Sequence, residues 1–264
     1  MNPTGFPLAG RAVLVTRPVD QAGGLASRIA GLGGSPILFP ALAIAPPSDA
    51  GQLERGIAGL TDYHWLIFVS PTAVEWFWPR LLERYGGWPA GPALAAVGQG
   101  SARALHRLGA RQVIAPEAGA DSESLLAMPA MSRMAGQRVL IVRGEGGRDV
   151  LAEGLRQRGA RVDYAECYRR VRPGTDAGEL LTRWRQGGID AVTVSSREIL
   201  ANLHDMLGDA GQELLRATPM FVLHARIAES ARALGIVTVI ATPPGEDGLI
   251  AALLEWFDVH HDQH

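Results

Sequence analysis

Residues Val139 to Arg170 read VLIVRGEGGRDVLAEGLRQRGARVDYAECYRR, and this stretch decides the fold. Val139-Leu140-Ile141-Val142 is a short apolar, partly β-branched run, the pattern of a buried strand. In Arg143-Gly144-Glu145-Gly146-Gly147-Arg148, three glycines let the backbone turn sharply and expose its N–H groups. Asp149 is then placed to cap a helix whose apolar positions are Val150, Leu151 and Leu155, and Gly159 ends that helix. A second extended run carries Tyr164, Cys167 and Tyr168. A glycine turn beside a helix N-terminus favours an anion, because unpaired N–H groups and the helix dipole both point at it.

The same pattern occurs earlier in the chain. Ala9-Gly10-Arg11-Ala12-Val13-Leu14-Val15-Thr16-Arg17 matches Ala135-Gly136-Gln137-Arg138-Val139-Leu140-Ile141-Val142-Arg143, an offset of 143 − 17 = 126 residues. At that one offset Gly33 falls on Gly159, Phe68-Val69-Ser70 on Val194-Ser195-Ser196, Gly109 on Gly235, and Val113-Ile114-Ala115 on Val239-Ile240-Ala241. A general likeness among α/β units does not predict a constant register, so the chain reads as an internal duplication. Alternating strands and helices imply parallel sheets with helices on both faces, an α/β fold in two similar halves.

At 264 residues, with 47% apolar content, the chain is long and apolar enough to bury two cores. The formal net charge of −2 gives no electrostatic argument for nucleic acid or an anionic membrane. Cys167 is the single cysteine, which excludes an intrachain disulfide and a cysteine metal cluster. The N-terminus MNPTGFPLAGR lacks a basic start followed by an apolar core, so no signal peptide is expected. No apolar run approaches the roughly 20 residues of a membrane span. The expectation is a cytoplasmic protein.

Along the chain, strands are predicted over 12–15, 65–69, 94–97, 112–115, 139–142, 191–194, 220–223 and 237–241. An extended segment is predicted over 36–44. Helices are predicted over 20–32, 50–60, 102–108 and 122–128, the last capped by Asp121. Ser70 and Pro71 open another helix, as N-cap and first residue. Its stripe of Trp76, Phe77, Leu81 and Leu82 reads as core rather than ligand site. In such sheets the loops leaving the strand C-termini line the ligand crevice. Those loops carry Thr16-Arg17-Pro18, Ser70-Pro71-Thr72, Gly98-Gln99-Gly100-Ser101, Arg143 to Arg148, Ser195-Ser196-Arg197, His224-Ala225-Arg226 and Thr242-Pro243.

The glycine turns do not make a nucleotide site. The pattern G-x-G-x-x-G fails at Arg103 and at Asp149, and no Gly-Lys-Ser/Thr follows either turn. There is no G-x-S-x-G elbow. His64, His106 and His204 fall in helix or strand contexts, where capping or surface roles are the default. His260, His261 and His264 form a tail that reads as a frayed end rather than a metal site. What survives is anion binding by backbone amides near Arg143 and Arg148. Tyr168 lies where an extended segment passes from one half to the other. From position alone packing is the stronger reading for it, with catalysis the second.

Several of these stretches carry a further signal. Val13-Leu14-Val15-Thr16-Arg17-Pro18, Ile67-Phe68-Val69-Ser70-Pro71-Thr72-Ala73-Val74, Ala96-Val97-Gly98 with Ser101-Ala102, Leu140 to Arg148, and Glu166-Cys167-Tyr168-Arg169-Arg170, in this order and spacing, resemble the uroporphyrinogen-III synthase family over nearly the whole chain. The resemblance implies an enzyme that closes the linear tetrapyrrole hydroxymethylbilane to uroporphyrinogen III, losing water and inverting ring D, with no metal or organic cofactor. It implies two α/β domains joined by a two-stranded linker, with the active site in the interdomain cleft. Carried onto this sequence, one domain is about 1–39 plus 172–264 and the other about 43–165, with linkers near 40–42 and 166–171.

Tyr168 matches the tyrosine thought to help the ring A hydroxyl depart. The loop residues Thr16, Arg17, Ser70, Gly98, Ser101, Arg143, Gly144, Ser195, Ser196 and Arg226 are the expected partners of the substrate's carboxylates. Where many relatives have glycine followed by threonines, this chain has His224-Ala225-Arg226-Ile227. Ile227 cannot supply a hydroxyl, and Arg226 is the substitute carboxylate partner. The expected partners are hydroxymethylbilane and, transiently, hydroxymethylbilane synthase, with the chain itself a monomer. The alternative reading is a non-catalytic two-domain module that binds a small polyanion.

Overall fold

The structure is a computed structural model and describes residues 6–119 and 121–260. In chain order come β1 (Ala12–Val15), α1 (Val19–Gly31), β2 (Ser35–Leu38), β3 (Ala43–Ala45), α2 (Ala50–Ala58), β4 (Trp65–Phe68) and α3 (Pro71–Tyr85). Next are β5 (Ala93–Ala96), α4 (Gln99–Arg107), β6 (Val113–Ile114), α5 (Ser122–Leu126), β7 (Arg138–Gly144), α6 (Val150–Gln157) and β8 (Arg161–Val171). The chain closes with α7 (Gly178–Arg185), β9 (Ala191–Val194), α8 (Arg197–Ala217), β10 (Met220–Val222), α9 (Ala225–Ala233), β11 (Val239–Ala241) and α10 (Glu246–Val259).

These elements form two units. One comprises the chain up to Ala43 together with the chain from Val171 onward; the other is Ile44–Arg170. The first holds a five-stranded sheet in the order β11-β10-β9-β1-β2, and its pairings are parallel. The second holds a six-stranded sheet in the order β3-β8-β7-β4-β5-β6, with parallel pairing from β8 through β6. Read at the offset of 126, β1 matches β7, β4 matches β9, β5 matches β10 and β6 matches β11, and the strand orders coincide. The left-handed glycines keep the same register: φ is 85° at Gly33 and 86° at Gly159, and 86° at Gly109 and 85° at Gly235. Each sheet therefore contains the two opening strands of one repeat beside the three strands β4, β5 and β6, or β9, β10 and β11, of the other.

Both faces of each sheet are buried, which is why the strands read as unbroken apolar runs. In the first unit Leu14, Val192 and Met220 pack on one side with Leu180, Leu200 and Ala228 of α7, α8 and α9. Val13, Val15 and Phe221 face the opposite layer of Leu25, Ile29, Leu249 and Leu253 from α1 and α10. In the second unit Leu66, Phe68 and Leu140 pack against Ile57, Phe77 and Leu105 of α2, α3 and α4. Ile67, Val139 and Ile141 face Leu125, Leu151 and Leu155 of α5 and α6. Each fully buried Val, Leu, Ile, Phe or Met side chain among them contributes about 1.5–3 kcal/mol of transfer free energy.

The local start signals operate as the residues suggest. Ser70 Oγ accepts from Ala73 N at 3.0 Å and Pro71 follows it, starting α3. At the repeat-related place Ser196 Oγ accepts from Ile199 N at 3.1 Å and starts α8. Asp121 accepts from Ser124 N at 2.8 Å and starts α5.

Three local expectations need correction. The extended segment 36–44 is broken at Phe39-Pro40 into β2 and β3, which belong to different sheets. Leu82 lies on the solvent side of α3, because the helix turns its stripe through Ala73, Val74, Phe77 and Leu81 instead. Asp149 precedes α6 but makes no cap hydrogen bond. Its backbone sits at φ −93°, ψ 6° rather than in the extended region a capping residue normally adopts.

The β1–β9 contact at the centre of the first sheet is laced by side chains. Thr16 Oγ1 donates to the Thr193 carbonyl at 2.7 Å, and Thr193 Oγ1 donates to the Leu14 carbonyl at 3.0 Å. Replacing either threonine by valine removes one buried hydrogen bond, and each substitution is expected to cost about 1 kcal/mol. Urea unfolding followed by circular dichroism checks this; an unchanged midpoint in both variants contradicts the lacing.

Candidate functional site

In the second unit, β7 runs out of the sheet into the glycine turn, and its ladder with β8 is irregular there. Arg143 pairs with Glu166, but Gly144 pairs with Tyr168, leaving Cys167 as an extra residue on β8. A bulge of this kind bends the strand and re-aims its side chains. Ala165, Cys167 and Tyr168 consequently all bury in the same core, which strict alternation would forbid. The Cys167 thiol lies 3.4 Å from the Arg143 carbonyl and 3.6 Å from that of Ala73.

The re-aimed Tyr168 ring lies against Gly144. A Cβ at position 144 would come within 2.6 Å of two ring carbons, so no other residue fits beneath the ring as placed. The Tyr168 hydroxyl is 3.2 Å from Ser70 Oγ, the N-cap oxygen of α3. Its carbonyl accepts from Glu145 N at 2.8 Å, which fixes the start of the turn. The turn continues through Gly146 and Gly147 at φ 70° and 99°, conformations that favour glycine. The Glu145 carboxylate accepts from both the backbone N–H and the hydroxyl of Ser48, tying the turn to the segment before α2.

A cavity of about 360 Å³ opens over this turn, lined among others by Arg143, Gly146, Arg148, Tyr164, Tyr168 and Arg170. The Arg143 side chain is only 8% exposed. Its Nη1 lies 3.0 Å from Asp149 Oδ1, its Nε donates to the Gly144 carbonyl at 3.2 Å, and Glu166 is 3.9 Å away. The guanidinium sits 4.8 Å over the Tyr164 ring, whose hydroxyl donates to the same Asp149 oxygen at 2.9 Å. The Tyr164 hydrogen bond, then that of Arg143, lower the Asp149 pKa below its ordinary value. Burial, then the bond to Asp149, raise that of Tyr164. Arg148 pairs with Glu123 at 3.0 Å.

In the first unit Ser195, Ser196, Arg197, His224 and Arg226 line a second cavity of about 440 Å³. Arg226 is exposed there, and Ser196 combines its lining position with the N-cap of α8. Arg17 is not open to solvent as a lone cation; its Nη1 pairs with Glu246 Oε1 at 2.8 Å. Thr16 is fully buried, with its hydroxyl given to Thr193. Gly98 is the buried N-cap of α4, and Ser101 is buried within that helix.

The structure thus gathers Arg143, Gly144 and Tyr168, with Ser70 against the phenol, and separately Ser195, Ser196 and Arg226. Sequence reasoning missed Tyr164, Asp149 as a partner of Arg143, and Glu145 as a tether. Of the histidines, His64 Nδ1 accepts from Arg138 N at 3.0 Å, His106 Nδ1 lies 2.8 Å from the Ala110 carbonyl, and His260 stacks on Trp256 at 3.7 Å. His261 and His264 lie outside the described residues.

Burial pushes the Cys167 thiol up to about 12, and burial followed by the Asp163 hydrogen bond raises Tyr63 to about 12. Both groups stay protonated in the folded state at pH values where the unfolded chain ionises. Their stabilising effect is therefore complete below about pH 8.5, the ordinary thiol value, and falls away as pH rises toward 12. The native thiol should not react with an aromatic disulfide at pH 8, whereas the urea-unfolded chain should react fully. Rapid native labelling contradicts the buried assignment.

Comparison with known proteins follows the same line. The family described as uroporphyrinogen-III synthase HemD matches residues 24–251. The uroporphyrinogen-III synthase of Escherichia coli K12 is 33% identical over 244 residues, covering 92% of this chain and 99% of that protein. The uroporphyrinogen-III synthase of Synechococcus elongatus is 31% identical over 258 residues, covering 95% and 97%. A solved mutant uroporphyrinogen III synthase from the extremely thermophilic bacterium Thermus thermophilus superposes with a TM-score of 0.60 at 16% identity, over 95% of this chain and all of that one. A uroporphyrinogen-III synthetase structure from Helicobacter pylori gives 0.56 at 13% identity, over 93% and 99%. The two structures speak for the α/β fold. Because the family match spans most of the sequence and the relatives exceed 30% identity over nearly their full lengths, the chain belongs to the uroporphyrinogen-III synthase family.

Proposed function

We propose that this chain is a cyclising hydro-lyase that converts hydroxymethylbilane to uroporphyrinogen III, inverting ring D and releasing water. The observation that carries the reading is the 33% identity to the Escherichia coli enzyme over 99% of that protein, since a whole matching chain supplies both units. The local geometry supports roles for particular residues. The substrate carries carboxylates on every ring, and the lining of the two cavities offers Arg143, Arg226, Ser195 and Ser196 to them. Holding a flexible linear tetrapyrrole in a folded pose replaces much of the entropy cost of ring closure.

Ring A loses its hydroxyl, with the pyrrole N–H proton making up the water, and becomes an electrophilic azafulvene. The substituted carbon of ring D attacks it, forming a spiro intermediate. That intermediate fragments and recloses with ring D reversed, and the final proton loss restores the pyrrole. In this reading the Tyr168 hydroxyl donates a hydrogen bond to the departing oxygen. Ser70 Oγ, 3.2 Å away, can give its own proton to the Tyr168 oxygen, leaving the phenolic proton to point into the cavity. In this reading the protein is a cytoplasmic monomer that takes its unstable substrate through transient contact with hydroxymethylbilane synthase. Among the described residues no helix is long and apolar enough to cross a membrane.

The direct test supplies enzymatically generated hydroxymethylbilane and separates type I from type III isomers after oxidation. Spontaneous closure gives type I, so type III must rise above the protein-free control. Within that assay Tyr168→Phe keeps the ring on Gly144 and removes the hydroxyl. The rate is expected to fall about a hundredfold or less, because part of the water loss proceeds unaided. The thermal midpoint should stay close to that of the parent. Full activity in Tyr168→Phe would take the phenol out of the mechanism.

Gly144→Ala probes the same ring from below. The new methyl would meet the Tyr168 ring at 2.6 Å, so the ring must lift from its place. Turnover should fall at least as far as in Tyr168→Phe, with a smaller loss of stability than of rate. Wild-type turnover in Gly144→Ala shows that the position of the ring does not matter.

A further inference from the structure

The buried guanidinium of Arg143 looks into the cavity of the second unit, yet it is already bound to a carboxylate of its own chain. The two partners are unequal: the Arg143 side chain is 8% exposed and that of Asp149 is 56% exposed. Arg143 is fixed on its other sides, by the Gly144 carbonyl at 3.2 Å and by the Tyr164 ring at 4.8 Å. The Asp149 carboxylate has no such anchorage in the helix it precedes, since its side chain makes no cap hydrogen bond to α6 and only the backbone carbonyl accepts from Glu153 N, at 2.8 Å. Its remaining hydrogen bond runs to the Tyr164 hydroxyl, on the same oxygen that faces Arg143. The carboxylate is therefore the movable half of the pair and the guanidinium the fixed half. Glu166, at 3.9 Å from Nε, remains near the cation if Asp149 leaves, so the buried charge keeps a counter-charge throughout.

We propose that Asp149 is a resident competitor for Arg143: a substrate carboxylate entering the cavity displaces the Asp149 carboxylate from the guanidinium and takes its place, so Asp149 sets how tightly this cavity holds carboxylates. This rests on the reading of the chain as an enzyme acting on a polycarboxylate. The exchange is isoelectric at Arg143, one carboxylate for another, which avoids leaving the buried cation unpaired at any stage. It also gives discrimination, because a neutral ligand of the same shape has nothing to offer in exchange for the lost pair. The Tyr164 hydroxyl and the guanidinium that bind Asp149 are the groups the incoming carboxylate inherits.

Asp149→Asn keeps the size of the side chain and removes the competing charge. Calorimetric titration with benzenehexacarboxylate, a polycarboxylate that cannot undergo the reaction, reads the effect without relying on catalysis. Binding to Asp149→Asn is expected to be about two- to fivefold tighter than to the parent, the scale of an exposed ion pair. In the isomer assay KM should fall by a similar factor with kcat little changed. The double variant Arg143→Gln with Asp149→Asn should lose the gain. Damage to the fold cannot imitate a tightening that depends on Arg143. Equal or weaker probe binding in Asp149→Asn, a gain that persists without Arg143, or no measurable binding to any of the three proteins overturns the proposal. Absence of type III product in the parent, with the binding pattern as expected, instead overturns the assigned reaction and leaves the competition in place.

Discussion

Two hydroxyls, 177 residues apart, bind the centre of the first sheet: Thr16 gives its proton to Thr193, and Thr193 gives its own back to Leu14. Both are buried, and an unpartnered buried hydroxyl costs about 1–3 kcal/mol. The exchange exists only when Leu14 stands opposite Val192, so it selects one register of β1 on β9. Everything in that unit depends on the register. A slip of one residue would turn Val13 and Val15 away from the α1 and α10 layer and send Leu14 into it. The outer strands β2, β10 and β11 take their positions from these two.

In the other unit the controlling constraint is a bulge. A single extra residue, Cys167, shifts the partner of Gly144 from the expected position to Tyr168. The thiol is buried in the same core as Ala165, with two carbonyls near it, and the phenol lies against a glycine that leaves room. The irregularity in the ladder thereby lets the phenol join the core that Ala165 and Cys167 enter by ordinary alternation, with its hydroxyl held at a cavity.

Much of the fold is written in the sequence because repetition supplies what local pattern cannot. A lone apolar run such as Ala191–Val194 is ambiguous, but its match to Trp65–Phe68 at a constant offset identifies both as the same strand of one design. Helix starts at Ser70, Asp121 and Ser196 are legible for a local reason, since each cap joins atoms three residues apart. The site is less legible. Arg17 pairs with Glu246 across 229 residues, and Glu145 with Ser48 across 97, distances over which no local pattern carries a partner's identity. Asp149 has the residue type and position of a cap, but the turn through Gly146 and Gly147 delivers its backbone outside the capping region. Its carboxylate then goes to the cation and phenol that the sheet places beside it. Thr16 reads as a loop residue at a strand end, and only the pairing of β1 with β9 shows that its hydroxyl turns inward.

The exchange of opening strands between the repeats also bears on how the polypeptide is made. The second unit is one uninterrupted segment, Ile44–Arg170, whereas the first is assembled from both ends of the chain. As translation proceeds, Ile44–Arg170 has all its strands outside the ribosome while β1, already emerged, still lacks β9 as a neighbour. β1 leaves the tunnel before the whole second unit and gains its neighbour β9 only after it. Until residues near Ala191 arrive, the apolar faces of β1 and α1 stand open to chaperones and proteases, and that interval is fixed by topology rather than by the stability of the finished fold.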